Sequence, residues 1–256
     1  MPCPPVQTPA DACAAFRAAL PGATVYVYDN NSRDGTREAA LAVEAQCKQL
    51  GAETLVFDVD VGSDAACVKA VDTVVSKWRR IDALINCAGT TRFIAHGDLA
   101  AVDDMEFERV YRVNLIGMFQ MTRAAVPVLR DSSTAAHSTS VINISSLAAL
   151  NGTGSSIAYA ASKGAVNTLT LSLARNLAPR IRVNALAPGM VDDGLPRRVL
   201  GEEAYAKIVD SMTNVAPLKR VSQPGEIADL AWFIVAHAPS MTGQVIAAEN
   251  GMLLNG

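Results

Sequence analysis

The feature that most constrains the fold is a regular alternation of short β-branched segments with longer amphipathic segments along most of the chain. The short segments predict strands at Thr24–Tyr28, Thr54–Phe57, Ala83–Ile85, Ser140–Ile144, Ile181–Ala185 and Gln244–Ala247. The longer segments predict helices at Arg37–Leu50, Asp64–Trp78, Asp103–Leu129, Ala158–Leu177, Glu202–Met212 and Glu226–Ala236. Strands that alternate with helices form a parallel sheet with helices on both faces. We therefore expect an α/β fold with a doubly wound parallel sheet.

The composition excludes several classes of function. Half of the 256 residues are apolar and the net charge is −3, which allows a large core but gives no basic surface for a nucleic acid. No apolar run reaches the ~18 residues of a membrane-spanning helix, and the N-terminus lacks the pattern of a signal peptide. The five cysteines show no spacing typical of zinc sites or disulfide frameworks, so we expect no metal. We expect a cytoplasmic protein of one domain over residues 1–256, with residues 1–22 as a poorly defined lead-in and no membrane partner.

Ligands of such sheets bind beyond the carboxyl ends of the strands, and one helical segment there carries a candidate acid/base pair. Tyr159 and Lys163 are four residues apart, which places them on one helix face. A nearby ammonium lowers the pKa of a phenol, so the pair could exchange a proton with a carbonyl or alcohol oxygen. Ser146, just after the strand that ends at Ile144, could hydrogen-bond the same oxygen. Taken alone, a tyrosine and lysine at this spacing are common by chance.

Other segments make the pattern specific. They are Asn86-Cys-Ala-Gly89 after a strand, Asn114 in the long helical segment, Ser146 thirteen residues before Tyr159, and Asn184-Ala-Leu-Ala-Pro-Gly-Met190. In this order they closely resemble the short-chain dehydrogenase/reductase family, from about Arg37 to the C-terminus. The resemblance implies a Rossmann-like fold and transfer of hydride between NAD or NADP and a carbonyl or secondary alcohol.

The resemblance also implies a role for each residue of a tetrad. Tyr159 would be the general acid/base, and Lys163 would modify its pKa and bind the nicotinamide ribose. Ser146 would polarise the carbonyl, a role for which Ser145 is the rival, and Asn114 would hold a water that relays protons to Lys163. Residues implied in cofactor binding are Asp29, Asp58, Val59, Asn86, Ala88, Gly89, Tyr159, Lys163, Pro188, Gly189 and Val191.

Two finer expectations follow from the same resemblance. The tail from Pro217 to Gly256 is most similar to the subgroup that includes 3-oxoacyl carrier-protein reductases, which indicates acyl or small cyclic ketones as substrates. Relatives pair helices equivalent to 103–129 and 158–177 across a two-fold axis. We therefore expect a homo-oligomer, either a dimer or a homotetramer.

The N-terminal part departs from the family pattern. The family opens with a strand and a Thr-Gly-x-x-x-Gly-x-Gly turn, whose glycines let the backbone approach the cofactor pyrophosphate. Here Gly22 is the only glycine among residues 1–22, and the first strand has no clear counterpart. This part could be a divergent or fused N-terminus on a truncated dehydrogenase. Alternatively, Thr24–Tyr28 serves as the family's second strand, and Asp29 then binds the adenosine ribose and favours NAD, while Arg33 leaves NADP open.

The segment from Leu20 to Thr36 also resembles the second strand and the Asp-Asn-Asn-Ser-x-Asp-Gly-Thr segment of nucleotide-sugar glycosyltransferases. That reading would require metal-dependent nucleotide-sugar binding around Asp29 and Asp34. Farther along, Asp193 stands where the family has a threonine beside the nicotinamide, and Glu249-Asn-Gly251 replaces Asp-Gly-Gly. The two main hypotheses are an NAD(P)-dependent oxidoreductase and a non-enzymatic member of the same fold, impaired in cofactor binding, that acts as a subunit or binding module.

Overall fold

The computed structural model describes residues 25–29, 36–49, 51–192, 197 and 200–255. Their strands are β1 Val25–Asp29, β2 Thr54–Asp58, β3 Ala83–Asn86, β4 Thr139–Ile144, β5 Ile181–Pro188 and β6 Val245–Ala248. Their α-helices are α1 Thr36–Gln49, α2 Asp64–Trp78, α3 Asp104–Tyr111, α4 Met118–Ser132, α5 Ala148–Asn151, α6 Ile157–Leu177, α7 Glu202–Val215 and α8 Pro224–Ala236. Short 3₁₀ turns lie at Leu99–Ala101 and Met252–Asn255.

All described strand pairs are parallel. The strands β3, β4, β5 and β6 form one sheet in that order, and β1 pairs with β2 in a second. In a parallel sheet the carboxyl ends of all strands lie at one edge, where ligands bind in folds of this type. The predicted α/β, Rossmann-like parallel sheet with flanking helices is confirmed. The segment in which the family has its first strand and glycine-rich turn lies outside the described residues.

Helices cover both faces of the larger sheet. Val141 and Val183 belong to a buried cluster with apolar residues of α2, α4 and α6, whereas Ile142 and Leu186 pack with Ile234 of α8. Every residue of β5 is buried, as expected for a parallel strand that is covered on both sides. The two layers hold the carboxyl ends of β4 and β5 in fixed positions.

The long helix predicted over 103–129 is interrupted. It is built as α3, a π-helical segment Arg112–Gly117 and α4, and helical periodicity in the sequence does not distinguish the π segment. A π turn adds one residue to the helical repeat and is frequent at functional sites. Here the π segment contains Asn114, whose side chain is fully buried.

The cysteines and the helices bear on two further expectations. Cys67 and Cys87 carry thiols, whereas Cys47 is disulfide-bonded. Single-sequence spacing did not indicate this bond. Within the described part of the chain, no helix has the length and apolar character needed to cross a bilayer.

Candidate active site

The Tyr159 side chain is placed by the first turn of α6. Ser156 is the N-cap of this helix, and its fully buried hydroxyl accepts a hydrogen bond from the Tyr159 amide at 3.2 Å. N-cap hydroxyls satisfy an amide that has no partner within the helix, and they fix where the helix begins. The start of α6 therefore sets the position of the phenol.

Ser146 and Tyr159 are brought together. The Ser146 hydroxyl lies close enough to the Tyr159 phenol to lower its pKa by hydrogen bonding, and it also accepts from the Ala148 amide at 3.1 Å. Both residues remain partly exposed, so a substrate oxygen can reach both hydroxyls. Ser145 is directed elsewhere, because its hydroxyl donates to Asn167 Oδ1 at 2.6 Å.

The pKa of Tyr159 shifts in the direction opposite to the one expected from its neighbour. Burial raises this pKa above the ordinary value, the hydrogen bond with Ser146 lowers it to a lesser extent, and Cys87 raises it slightly. Desolvation disfavours the phenolate. Burial thus outweighs the lowering expected from the adjacent ammonium, and Tyr159 is a neutral phenol at neutral pH.

Lys163 supplies a buried ammonium one turn along α6. Its Nζ lies 5.7 Å from the centre of the Tyr159 ring and donates to the Ile144 carbonyl at 2.7 Å. The residue is 4% exposed, and burial lowers its pKa to about 8, with a small opposing effect of Cys87. An ammonium has three N–H donors, and among the described residues one accepts from it. Two donors are left for a ligand with hydroxyl groups.

Asn114 fixes the loop that follows β3. Its Oδ1 accepts from the Thr90 amide at 2.8 Å, and its Nδ2 donates to the Thr90 carbonyl at 3.0 Å and to Ser162 Oγ at 3.1 Å. A Cβ built on Gly89 would lie 3.7 Å from Asn114 Oδ1 and 3.9 Å from Lys163 Nζ. The structure therefore brings Gly89, Asn114 and Lys163 to one place.

Asn86 and Val59, two of the residues implied in cofactor binding, have side chains in the core. Asn86 Nδ2 donates to Thr122 Oγ1 at 3.0 Å and to Asn143 Oδ1 at 2.9 Å. Val59 is 2% exposed and packs within the main apolar cluster. Both amide hydrogens of Asn86 are thus used within the core. Ala88, the neighbour of Gly89, packs its side chain against the same cluster.

The end of β5 forms the opposite side of the site. The Pro188 carbonyl accepts from the Leu147 amide at 2.8 Å, which ties β5 to the segment that carries Ser146. A Cβ on Gly189 would lie 2.9 Å from Glu249 Cα, so only glycine permits this approach of the chain after β6. Val191 is partly exposed and forms an isolated parallel bridge with Ser222.

Two carboxylate residues end the neighbouring strands of the smaller sheet. Asp29 ends β1 opposite Asp58, which ends β2 and is exposed. Asp193, Asp34 and Arg33 lie outside the described residues. In the part of the chain that the structure describes, no group of three or more potential ligands could hold a metal ion.

Sequence reasoning missed three residues that position the site. Thr90 and Ser162 are the partners of the Asn114 amide, and Ser156 caps α6. The Ser156-x-x-Tyr159 spacing, with a hydroxyl just before the helical run, is a recognisable N-cap signal. Thr90 and Ser162 had no such signal, because their contacts join segments distant in the chain.

Comparisons with known proteins agree with this geometry. A family model described as enoyl-(acyl carrier protein) reductase matches residues 10–253. Because the match includes residues 20–36, the comparisons give no support to the glycosyltransferase resemblance of that segment. A candidate ketoacyl reductase of granaticin polyketide synthase from Streptomyces violaceoruber is 35% identical over 238 residues, which cover 93% of this chain and 89% of the relative.

Solved structures are similar over nearly the whole chain. A candidate short-chain dehydrogenase/reductase from Burkholderia xenovorans is 65% identical with a TM-score of 0.84, covering 96% of this chain and 94% of that one. NAD⁺-bound xylitol dehydrogenase is 28% identical with a TM-score of 0.80, covering 96% and 95%. The fold, the family match and these identities lead to one conclusion: the chain belongs to the short-chain dehydrogenase/reductase family.

Proposed function

We propose that this protein is an NAD(P)-dependent oxidoreductase that transfers hydride between a nicotinamide cofactor and a carbonyl or secondary alcohol. The observation that carries the proposal is the joint placement of the Tyr159 phenol against Ser146 and of the buried Lys163 ammonium beside it. Hydroxyl donors next to a buried cation suit a carbonyl oxygen that gains negative charge during reduction. The same groups suit deprotonation of an alcohol in the reverse direction.

Each residue of the tetrad receives one task in reduction. The neutral Tyr159 hydroxyl donates its proton to the carbonyl oxygen, and Ser146 donates a hydrogen bond to that oxygen. The positive charge of Lys163 stabilises the phenolate left on Tyr159. Both amide hydrogens of Asn114 are donated to Thr90 and Ser162, so a relay water would donate to Asn114 rather than accept from its amide.

The residues present fit a nicotinamide dinucleotide at the ribose. Lys163 has two N–H donors beyond its described bond to Ile144, which match a pair of ribose hydroxyls, and Gly89 leaves the approach to Lys163 open. When bound, the cofactor supplies the hydride that reaches the carbonyl carbon or accepts it from the alcohol. Asp29 at the end of β1 favours NAD by binding the adenosine ribose hydroxyls.

The segment that would bind the cofactor pyrophosphate departs most from the family pattern. A dinucleotide pyrophosphate is held by backbone amides at a glycine-rich helix start, and residues 1–22 contain Gly22 alone. We expect binding weaker than in relatives with an intact turn by about 2–4 kcal/mol, or roughly 30- to 1000-fold. In the non-enzymatic alternative the affinity is lowered so far that no dinucleotide binds.

The substrate class that we propose is a ketone with an apolar substituent, of the acyl or small cyclic kind. The tail from Pro217 to Gly256 resembles that of 3-oxoacyl carrier-protein reductases, which indicates acyl substrates. The likeness to a ketoacyl reductase is consistent with this class.

Calorimetric titration with NADH and NADPH tests the proposal, followed by turnover of a cyclic ketone and a 3-oxoacyl thioester with the dinucleotide that binds. We expect binding of at least one dinucleotide and consumption of reduced nicotinamide with one ketone. Absence of binding at millimolar dinucleotide would favour the non-enzymatic alternative. Low-micromolar binding would instead refute the weakened pyrophosphate site.

A further inference from the structure

Glu106 is a buried carboxylate that lies outside the tetrad. Glu106 lies in the first turn of α3 and is 4% exposed. Its backbone amide is capped by Asp103 Oδ1 at 2.8 Å. Buried carboxylates are retained only where cations or donors compensate for the loss of water.

Arg109 compensates for the buried charge of Glu106 and also reaches Thr90. Its Nε and Nη2 donate to the two oxygens of Glu106 at 3.1 and 2.8 Å. Bidentate pairs of this kind fix the plane of the guanidinium. The remaining terminal nitrogen, Nη1, then donates to the hydroxyl of Thr90 at 2.7 Å.

Thr90 joins this pair to the active site. Its amide and carbonyl are both bonded to the Asn114 side chain, and the preceding residue, Gly89, faces Lys163. On the other side, Thr91 Oγ1 is 2.6 Å from the hydroxyl of Ser155. The loop after β3 is thereby held between α3, the π segment and the residues just before α6.

We infer that Glu106 and Arg109 are positioning residues, which act through the Thr90 hydroxyl to hold Thr90, and with it Asn114 and Gly89, in the geometry needed for proton and hydride transfer. The inference deepens the proposed function and rests on it for its kinetic part. Neither Glu106 nor Arg109 belongs to the tetrad. A misplacement of about 1 Å at a reacting centre lowers rates on the order of 10²-fold, so loss of one of several restraints should lower kcat about tenfold.

Two substitutions at Thr90 separate positioning from packing. Thr90→Val removes the hydroxyl and keeps the branched shape, whereas Thr90→Ser keeps the hydroxyl and removes the methyl group. We expect kcat to fall about tenfold in Thr90→Val, with the cofactor KM changed less than about threefold, and kcat to stay within about threefold in Thr90→Ser. Retention of kcat in Thr90→Val, or an equal loss in Thr90→Ser, would overturn the inference.

A second measurement does not need turnover. Glu106→Gln keeps the shape of the side chain and removes the charge that orients Arg109. Its matched control is Asp82→Asn, which removes the carboxylate of the exposed bidentate pair with Arg80. We expect the amide of residue 90 to exchange hydrogen about tenfold faster in Glu106→Gln and at the wild-type rate in Asp82→Asn.

The two readouts separate failure of the inference from failure of the proposed function. A wild-type protein that turns over no ketone with either dinucleotide would contradict the proposed function. The hydrogen-exchange rate at residue 90 would then test the positioning role by itself. Exchange at the wild-type rate in Glu106→Gln overturns the positioning role, whether or not the protein is active.

Discussion

Replacement of Lys163 by methionine should reveal how much burial of the Lys163 ammonium destabilises the folded state. Burial lowers the pKa of Lys163 from 10.5 to about 8, and the residue is 4% exposed. At about 1.4 kcal/mol for each pH unit, this difference corresponds to about 3 kcal/mol against folding at neutral pH. Loss of the bond to the Ile144 carbonyl, worth about 1.5–3 kcal/mol for a charged donor, offsets much of the gain in the variant.

The dependence on pH isolates the charge from that bond. Since the folded-state pKa of this base is depressed, the unfolded chain binds the proton more tightly than the folded chain. The destabilisation is fully present below about pH 8 and disappears as the pH rises toward 10.5. The stability of Lys163→Met relative to wild type should therefore decrease by about 2 kcal/mol between about pH 7 and about pH 9.5.

Urea unfolding of both proteins without dinucleotide, at several pH values in this range, measures the difference. Lys207→Met is the matched control, because Lys207 is exposed and its partner Glu203 lies on the same face of α7. Its stability relative to wild type should stay constant over the same range. A constant difference for Lys163→Met as well would refute the argument that desolvation governs this lysine.

Three further predictions concern the site and the assembly. In steady-state kinetics, Ser146→Ala should lower kcat about 10²-fold, whereas Ser145→Ala should lower it less than about tenfold. Equal losses would contradict the assignment of Ser146 rather than Ser145. Gly189→Ala should lower the free energy of unfolding by about 1–3 kcal/mol, because the added Cβ would lie 2.9 Å from the backbone of Glu249. Gly164→Ala has open space in α6 and should be neutral or stabilising by up to about 1 kcal/mol. Urea unfolding measures both changes. We also predict a dimer or tetramer by light scattering at micromolar concentration, dissociated by Leu171→Arg on the exposed face of α6, where Leu171 is 48% exposed; a wild-type monomer would contradict this.

Much of the fold could be predicted from the sequence because its determinants are local. Alternation of strand and helix periods predicted the described strands to within a few residues at each end, including β4 and β5, whose residues are buried on both faces. The spacing of Tyr159 and Lys163 required only helical geometry. The break in the long helix at Asn114 could not be predicted, since a π turn leaves no periodic signal in a single sequence.

The environment of the site depends on contacts between distant segments, which the sequence does not reveal. Tyr159 shows this most clearly: proximity of Lys163 suggested a lowered pKa, but burial dominates and raises it. The Asn86 side chain donates to buried partners on α4 and β4, and the sequence does not indicate these contacts. Such outcomes are decided by desolvation and by pairing across the sheet.

The most direct test of the central claim is hydride transfer by Tyr159→Phe. This change removes the proposed proton donor and leaves Lys163 and Ser146 in place. With a ketone that the wild-type protein reduces, consumption of reduced nicotinamide should slow by about 10²–10⁴-fold, while the dissociation constant of the dinucleotide changes less than about threefold. A Tyr159→Phe variant that reduces the ketone at a rate close to wild type would contradict the assignment of this phenol as the acid/base group.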